Sequence, residues 1–129
     1  YRDSRIKSER ATVLSASFDR LAAEKNEILA RMKAYNATRQ ASQPLGQRTA
    51  GSIFKNPQGD YAGRLIEELG LKGYSRGDAQ VSSKHANFIV NRGSASATDI
   101  VDLIEYIQEK TYEKFKIKLE TEVEFLGEF

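Results

Sequence analysis

The residues of this chain that could do chemistry fall in a few short stretches. Gly51-Ser52 sits inside an apolar segment and is followed by Lys55, Asn56 and a Pro-Gly turn. A glycine there lets a ligand or another backbone come close, and the serine presents a hydroxyl. The same serine could equally be a small residue at a strand crossing. Ser82-Ser83-Lys84-His85-Ala86-Asn87 follows a glycine-punctuated stretch. Hydroxyls, an ammonium and an imidazole together suit a phosphate, although an ordinary polar loop has the same composition. Glu120, Glu122 and Glu124 alternate along one face of a C-terminal segment. Such a row also serves to keep a strand edge from aggregating. Tyr1-Arg2-Asp3-Ser4 is a fourth polar cluster. No Ser-His-Asp arrangement is defined, because nothing in the spacing fixes mutual geometry. Gly70-Leu71-Lys72-Gly73 lacks the spacing and the Lys-Ser/Thr ending of a phosphate-binding Walker loop.

The elements that must position these residues follow from periodicity. Residues 12–18 have the composition of a strand. A helix from Glu24 to Thr38 carries Ile28, Met32 and Tyr35 as one stripe, with Leu29 beside it. Gln43-Pro44-Leu45-Gly46 ends it, and residues 49–55 read as a short strand holding Gly51. Asp60 is the expected N-cap of a helix carrying Leu65, Ile66 and Leu69 and stopping at Gly70. Residues 70–86 read as loop with a strand at 79–81, and 88–90 as a buried strand. Thr98 or Ser96 caps a helix over 98–115, whose buried face is Ile100, Leu103, Ile104, Ile107 and Thr111. A last strand over 118–126 puts Leu119, Thr121, Val123 and Phe125 on one face. The order β-α-β-α-β(β)-α-β is that of an α+β domain, a small sheet with helices packed on one face.

Bulk properties bound the rest. The chain has 129 residues, 40% of them hydrophobic, which suffices for one core. It has no cysteine and one histidine, so neither a disulfide framework nor a typical zinc site is expected. No apolar run reaches membrane-span length, and no signal peptide opens the chain. Twenty basic residues against eighteen acidic ones leave a net charge of +2, which makes no general case for nucleic acid. A chain that opens on Tyr1 followed at once by charges is expected to be a piece of a longer protein.

Several stretches together resemble the UDP-N-acetylenolpyruvoylglucosamine reductases, the MurB family. Ala50-Gly51-Ser52-Ile53-Phe54-Lys55-Asn56-Pro57 is similar to the family's serine motif, and Tyr1-Arg2-Asp3-Ser4-Arg5-Ile6-Lys7 to its Tyr-Arg-Asp-Ser stretch. Arg39 with Gln43-Pro44-Leu45 resembles its Arg…Gln-Pro-Leu turn. Ala62 through Glu67, Gly70 through Gly73, Ala79 through Ser82, Lys84 through Phe88 and Leu119 through Gly127 follow in the same order. The resemblance implies the C-terminal, substrate-binding part of an enzyme of the shorter subtype. The whole enzyme converts UDP-N-acetylglucosamine enolpyruvate to UDP-N-acetylmuramate for peptidoglycan, in the bacterial cytoplasm. NADPH-reduced FAD passes hydride to the methylene carbon, and a serine, by motif match Ser52, gives a proton to the adjacent carbon. Arg2 matches the arginine that faces the developing anion, and Glu122 the active-site glutamate. Asn56 and His85 match positions that contact the UDP-sugar, with Lys84, Gln43 and Arg39 as further candidates.

The resemblance also implies boundaries. Residues 1–44 would close an FAD-binding domain and its connecting helix, 45–117 form the substrate domain, and 118–129 return as a strand carrying Glu122. The terminal strands would belong to an FAD-binding domain absent from this sequence. FAD and NADPH are expected for the full-length enzyme and neither for this chain alone. Its partners would be the substrate and the N-terminal FAD-binding domains of the same protein, with no nucleic acid and no membrane. Unpaired strand edges make self-association an expectation. Two departures stand out: Glu124 where many relatives carry arginine, and Asp78 in place of a common glycine. The competing readings are a non-catalytic nucleotide-sugar binding module and a small nucleic-acid-binding domain. Steep salt dependence of polynucleotide binding would mark the latter.

Overall fold

The computed structural model describes Ile6, Glu9 and residues 11–127. The chain divides into two compact units, Tyr1–Met32 and Lys33–Phe129. In the first, residues 11–24 form neither helix nor strand, and Val13, Leu14, Phe18 and Leu21 are exposed. The strand expected over 12–18 is therefore not formed. A strand needs a partner for its N–H and C=O groups, and composition alone does not supply one. Helix α1, Lys25–Ser42, runs past the expected Thr38 and buries none of its residues. Its stripe of Ile28, Leu29, Met32 and Tyr35 is present but exposed.

The second unit carries the core. Helix α2 spans Ala62–Glu68 and buries Ala62, Leu65 and Ile66. The expected cap, Asp60, does not cap it. Tyr61 holds the N-cap position without a side-chain bond, while Asn56 Oδ1 accepts from the Ala62 N–H at 3.1 Å. Asp60 instead accepts from the Tyr61 N–H at 2.7 Å and pairs with Arg64. That guanidinium, with the Tyr61 N–H, holds the Asp60 carboxyl down at about 2. Past Leu69 the chain turns on Gly70 at φ +70°, the left-handed residue that closes a helix without a Cβ penalty.

Strands β1 (Ser75–Arg76), β2 (Ala79–Val81) and β3 (Ile89–Asn91) make an antiparallel sheet in that order. Gly77 and Asp78 join β1 to β2 in a two-residue turn, with Arg76 opposite Ala79. Across β2 and β3, Ala79 faces Asn91 and Val81 faces Ile89. Single bridges then extend the sheet: Arg48 with Asn91, Ser52 with Phe88, and Phe54 with Thr121. The strands expected over 49–55 and 118–126 thus exist only as these contacts. Gly51 at φ +89° breaks the first, and only Thr121 of the second finds a bridge among the described residues.

Helix α3, Ala97–Phe115, packs on β1 and β2 and touches α2. Ser96 and Asp99 form a reciprocal capping box, with bonds of 3.0 and 2.8 Å. Leu103, Ile104, Ile107 and Thr111 are its buried residues. Leu103, Ile104 and Ile107 meet Phe54, Leu65, Ile66, Val81 and Leu119 in one cluster. Each large apolar side chain so buried is worth roughly 1.5–3 kcal/mol.

Candidate functional site

Ser52 lies half-buried on the segment that links β3 to the C-terminal residues. On one side Ser52 bridges Phe88, and the Ile53 N–H donates to Asn87 O at 3.0 Å. On the other, Lys55 N donates to Glu120 O at 2.9 Å and Glu122 N to Ile53 O at 2.7 Å. The pairing of Phe54 with Thr121 puts Glu122 opposite Ile53, one register step from Ser52. The backbones of Ser52 and Glu122 are thus brought together although far apart in sequence. The Glu122 side chain is exposed, as is that of Glu124. Glu120 pairs with Lys55 at 3.1 Å.

Asn56 and His85 meet at the start of α2. Asn56 accepts from Ala62 there, and His85 packs against Gly63, so close that a Cβ on Gly63 would lie 3.0 Å from the imidazole Cε1. The Asn87 N–H donates to His85 Nδ1 at 3.2 Å, which leaves the proton of a neutral imidazole on Nε2. Burial first, and then the charge of Lys72, hold His85 below its ordinary value. Phe88 meets the ring edge-on at 4.9 Å. Ser82 Oγ accepts from the N–H groups of Lys84 and His85 and shapes this loop.

Lys84 reaches elsewhere: its Nζ donates to Gln40 O at 3.0 Å, in the last turn of α1. Arg39 lies exposed on that turn, and its carbonyl accepts from the Gln43 N–H at 2.9 Å. Lys84 thus reaches the end of α1 near Arg39 and Gln43 in sequence, apart from Asn56 and Ser52. Arg2 lies outside the described residues.

Residues 43–126 match the family described as UDP-N-acetylenolpyruvoylglucosamine reductase, C-terminal domain. The chain belongs to that family. It is 50% identical over 128 residues to the UDP-N-acetylenolpyruvoylglucosamine reductase of Listeria monocytogenes serotype 4b (strain CLIP80459), covering 99% of this chain and 43% of the relative. The protein of the same name from Carboxydothermus hydrogenoformans is 49% identical over 128 residues, covering 99% of this chain and 42% of the relative. Among solved structures, the UDP-N-acetylenolpyruvylglucosamine reductase (MurB) from Thermus caldophilus is similar with a TM-score of 0.66 and 46% identity. That likeness covers 78% of this chain and 35% of the other. The chain therefore spans less than half the length of these reductases.

Asn87 is a residue whose importance the sequence pattern understates. It is a polar side chain, 4% exposed, between the buried Ala86 and Phe88. A buried amide must find partners, so a lone asparagine inside an apolar run was the available signal. Gly63, which makes room for His85, carried no signal beyond its position near a helix start.

Proposed function

We propose that this chain is the substrate-binding part of an FAD-dependent reductase that converts UDP-N-acetylglucosamine enolpyruvate to UDP-N-acetylmuramate with NADPH, for peptidoglycan in the bacterial cytoplasm. The observation that carries the reading is the family match over 43–126 joined to the register that sets Glu122 beside the Ser52 segment. In this reading Ser52 Oγ gives its proton to the carbon that becomes nucleophilic once the neighbouring methylene is reduced. A serine is a weak acid, but an enolate-like carbon is a strong base, so held geometry makes the transfer feasible. By the resemblance Arg2 supplies the donor to the charge developing on the substrate carboxylate, and Glu122 is the active-site glutamate. A donor so placed is worth roughly 3 kcal/mol. Asn56, with its oxygen engaged at Ala62, turns its amide nitrogen to the UDP-sugar. His85 offers Nε2–H to a diphosphate oxygen. Lys84, Gln43 and Arg39 serve the ligand from the end of α1.

A groove of about 700 Å³ lined by Lys55, Gln108, Tyr112, Lys118, Leu119, Glu120 and Thr121 does not suit FAD. It offers a single aromatic ring, with Lys116 and Lys118 already lying 5.5 and 5.8 Å from its centre. No second apolar wall is there to hold an isoalloxazine. In this reading FAD and NADPH are held by N-terminal domains of the same protein, and the chain alone is expected to reduce nothing.

Titration of the chain with the UDP-enolpyruvyl sugar, followed by NMR with UMP as a control, tests the binding half of the proposal. Saturable shifts at Ser52, Asn56 and His85 are expected. Equal shifts with any polynucleotide, lost on adding salt, would contradict it.

A further inference from the structure

We propose that Asn87 is a positioning residue for Ser52; this rests on the reading of Ser52 as proton donor given above. The Asn87 carboxamide is buried and clamps both backbone polar groups of one residue on the serine-bearing segment. Its Oδ1 accepts from the Phe54 N–H at 2.9 Å, and its Nδ2 donates to Phe54 O at 2.8 Å. The Asn87 backbone carbonyl takes the Ile53 N–H at 3.0 Å. One residue thus satisfies both the N–H and the C=O of Phe54 and the N–H of Ile53.

The need for such a clamp arises from Gly51. At φ +89° it interrupts the regular ladder between Arg48 and Ser52, and among the described residues the segment bridges the 88–91 side at those two positions only. Beyond Ser52 no further bridge to the 88–91 side is made among the described residues. A carboxamide has one acceptor and one donor side at peptide-like spacing, and here it stands in for the missing strand residue. The Ser52 hydroxyl is one rotatable bond from its backbone, so whatever fixes residues 52–54 fixes the oxygen to within that rotor. Proton transfer is steep in distance, and a misplacement of about 1 Å can cost on the order of a hundredfold. Asn87 acts on the reaction through Ser52.

The second connection of Asn87 ties the ligand side to the same clamp. Its N–H donates to His85 Nδ1, so its backbone sets the imidazole tautomer while its side chain sets the serine segment. Substrate binding through His85 needs only the backbone. The side chain therefore affects turnover and leaves binding largely intact.

The test uses the full-length protein with Asn87→Ala and Asn87→Asp, beside Ser52→Ala. Asn87→Asp keeps volume and acceptor but sets a carboxylate oxygen against Phe54 O. Both Asn87 variants are expected to lose roughly ten- to a hundredfold in kcat, with KM for the UDP-enolpyruvyl sugar within about twofold of the parent. The solvent deuterium isotope effect on kcat should rise as proton transfer becomes slower, and Phe54 amide exchange should quicken. Should Asn87→Ala not accumulate folded, Asn87→Asp carries the same comparison. Loss of activity only in proportion to loss of folded protein, with an unchanged isotope effect, overturns the proposal. So does an unchanged kcat alongside faster Phe54 exchange. If Ser52→Ala itself leaves kcat intact, the reading of Ser52 fails and this inference falls with it. If Ser52→Ala is impaired and the Asn87 variants are not, only the positioning role is lost.

Discussion

Replacing Gly63 by alanine should reveal how tightly α2 is fitted to His85. A Cβ there would lie 3.0 Å from His85 Cε1, 3.5 Å from Nδ1 and 3.7 Å from Asn87 Cβ. Gly63 is not at positive φ, so alanine meets no backbone strain. In a helix interior the change would stabilise by about 1 kcal/mol, and by less at the second helical position. Against this, forcing a methyl into a packed contact costs about 1–3 kcal/mol. The half-buried imidazole can yield a few tenths of an ångström before its bond with the Asn87 N–H lengthens. The expected net is between neutral and about 2 kcal/mol destabilised. In a His85→Ala background the same methyl keeps only an ordinary contact with Asn87 Cβ, and Gly63→Ala should be neutral or stabilising by up to about 1 kcal/mol. The coupling between the two sites is therefore about 1–3 kcal/mol. Urea unfolding of the four proteins of the cycle, with slopes checked for equality, measures it. A coupling near zero would refute the packing of Gly63 on His85 and the fixed ring orientation drawn from it.

His85 should also make stability depend on pH. Its folded value lies below the ordinary 6.5, so as pH falls the unfolded chain takes up this proton first. Its contribution is complete above 6.5, declines as pH drops through that value, and levels off below the folded one. The difference in stability between the parent and His85→Gln should therefore narrow as pH falls from about 7 through 6.5; a constant difference would contradict the burial of the ring. Phe54→Ala, at a side chain with no exposure, should cost about 3–5 kcal/mol by urea unfolding, and a loss below about 1 would mean the site collapses without a cavity. Ser96→Ala removes the hydroxyl half of the α3 capping box and should cost about 1 kcal/mol, read from the same midpoint shift.

The sequence made legible the elements whose signals are local. The period of Ile100, Leu103, Ile104, Ile107 and Thr111, with Ser96 ahead of it, placed α3 to within a residue. Gly70 closes α2 where its lack of a side chain said it would. Strand composition at 12–18 and 118–126 misled because pairing is a property of the partner, and only Thr121 bridges within the described residues. Strand β1 escaped notice because its two exposed residues carry no alternation. Asp78, where the resemblance leads one to expect a glycine, accepts from the Ser94 N–H at 2.8 Å, a bond no glycine could make. At the site, Ser52, Asn56, His85 and Glu122 were named from motif likeness. Their grouping was not legible, because it depends on a register between distant segments. The Asn87 clamp was hidden for the same reason.

The most direct test of the account is the turnover of the full-length protein carrying Ser52→Ala, with binding of the UDP-enolpyruvyl sugar measured alongside. If Ser52 delivers the proton, reduction of the sugar should fall about a hundred- to ten-thousand-fold while the sugar still binds. Turnover close to that of the parent, with binding equally intact, would contradict the central claim.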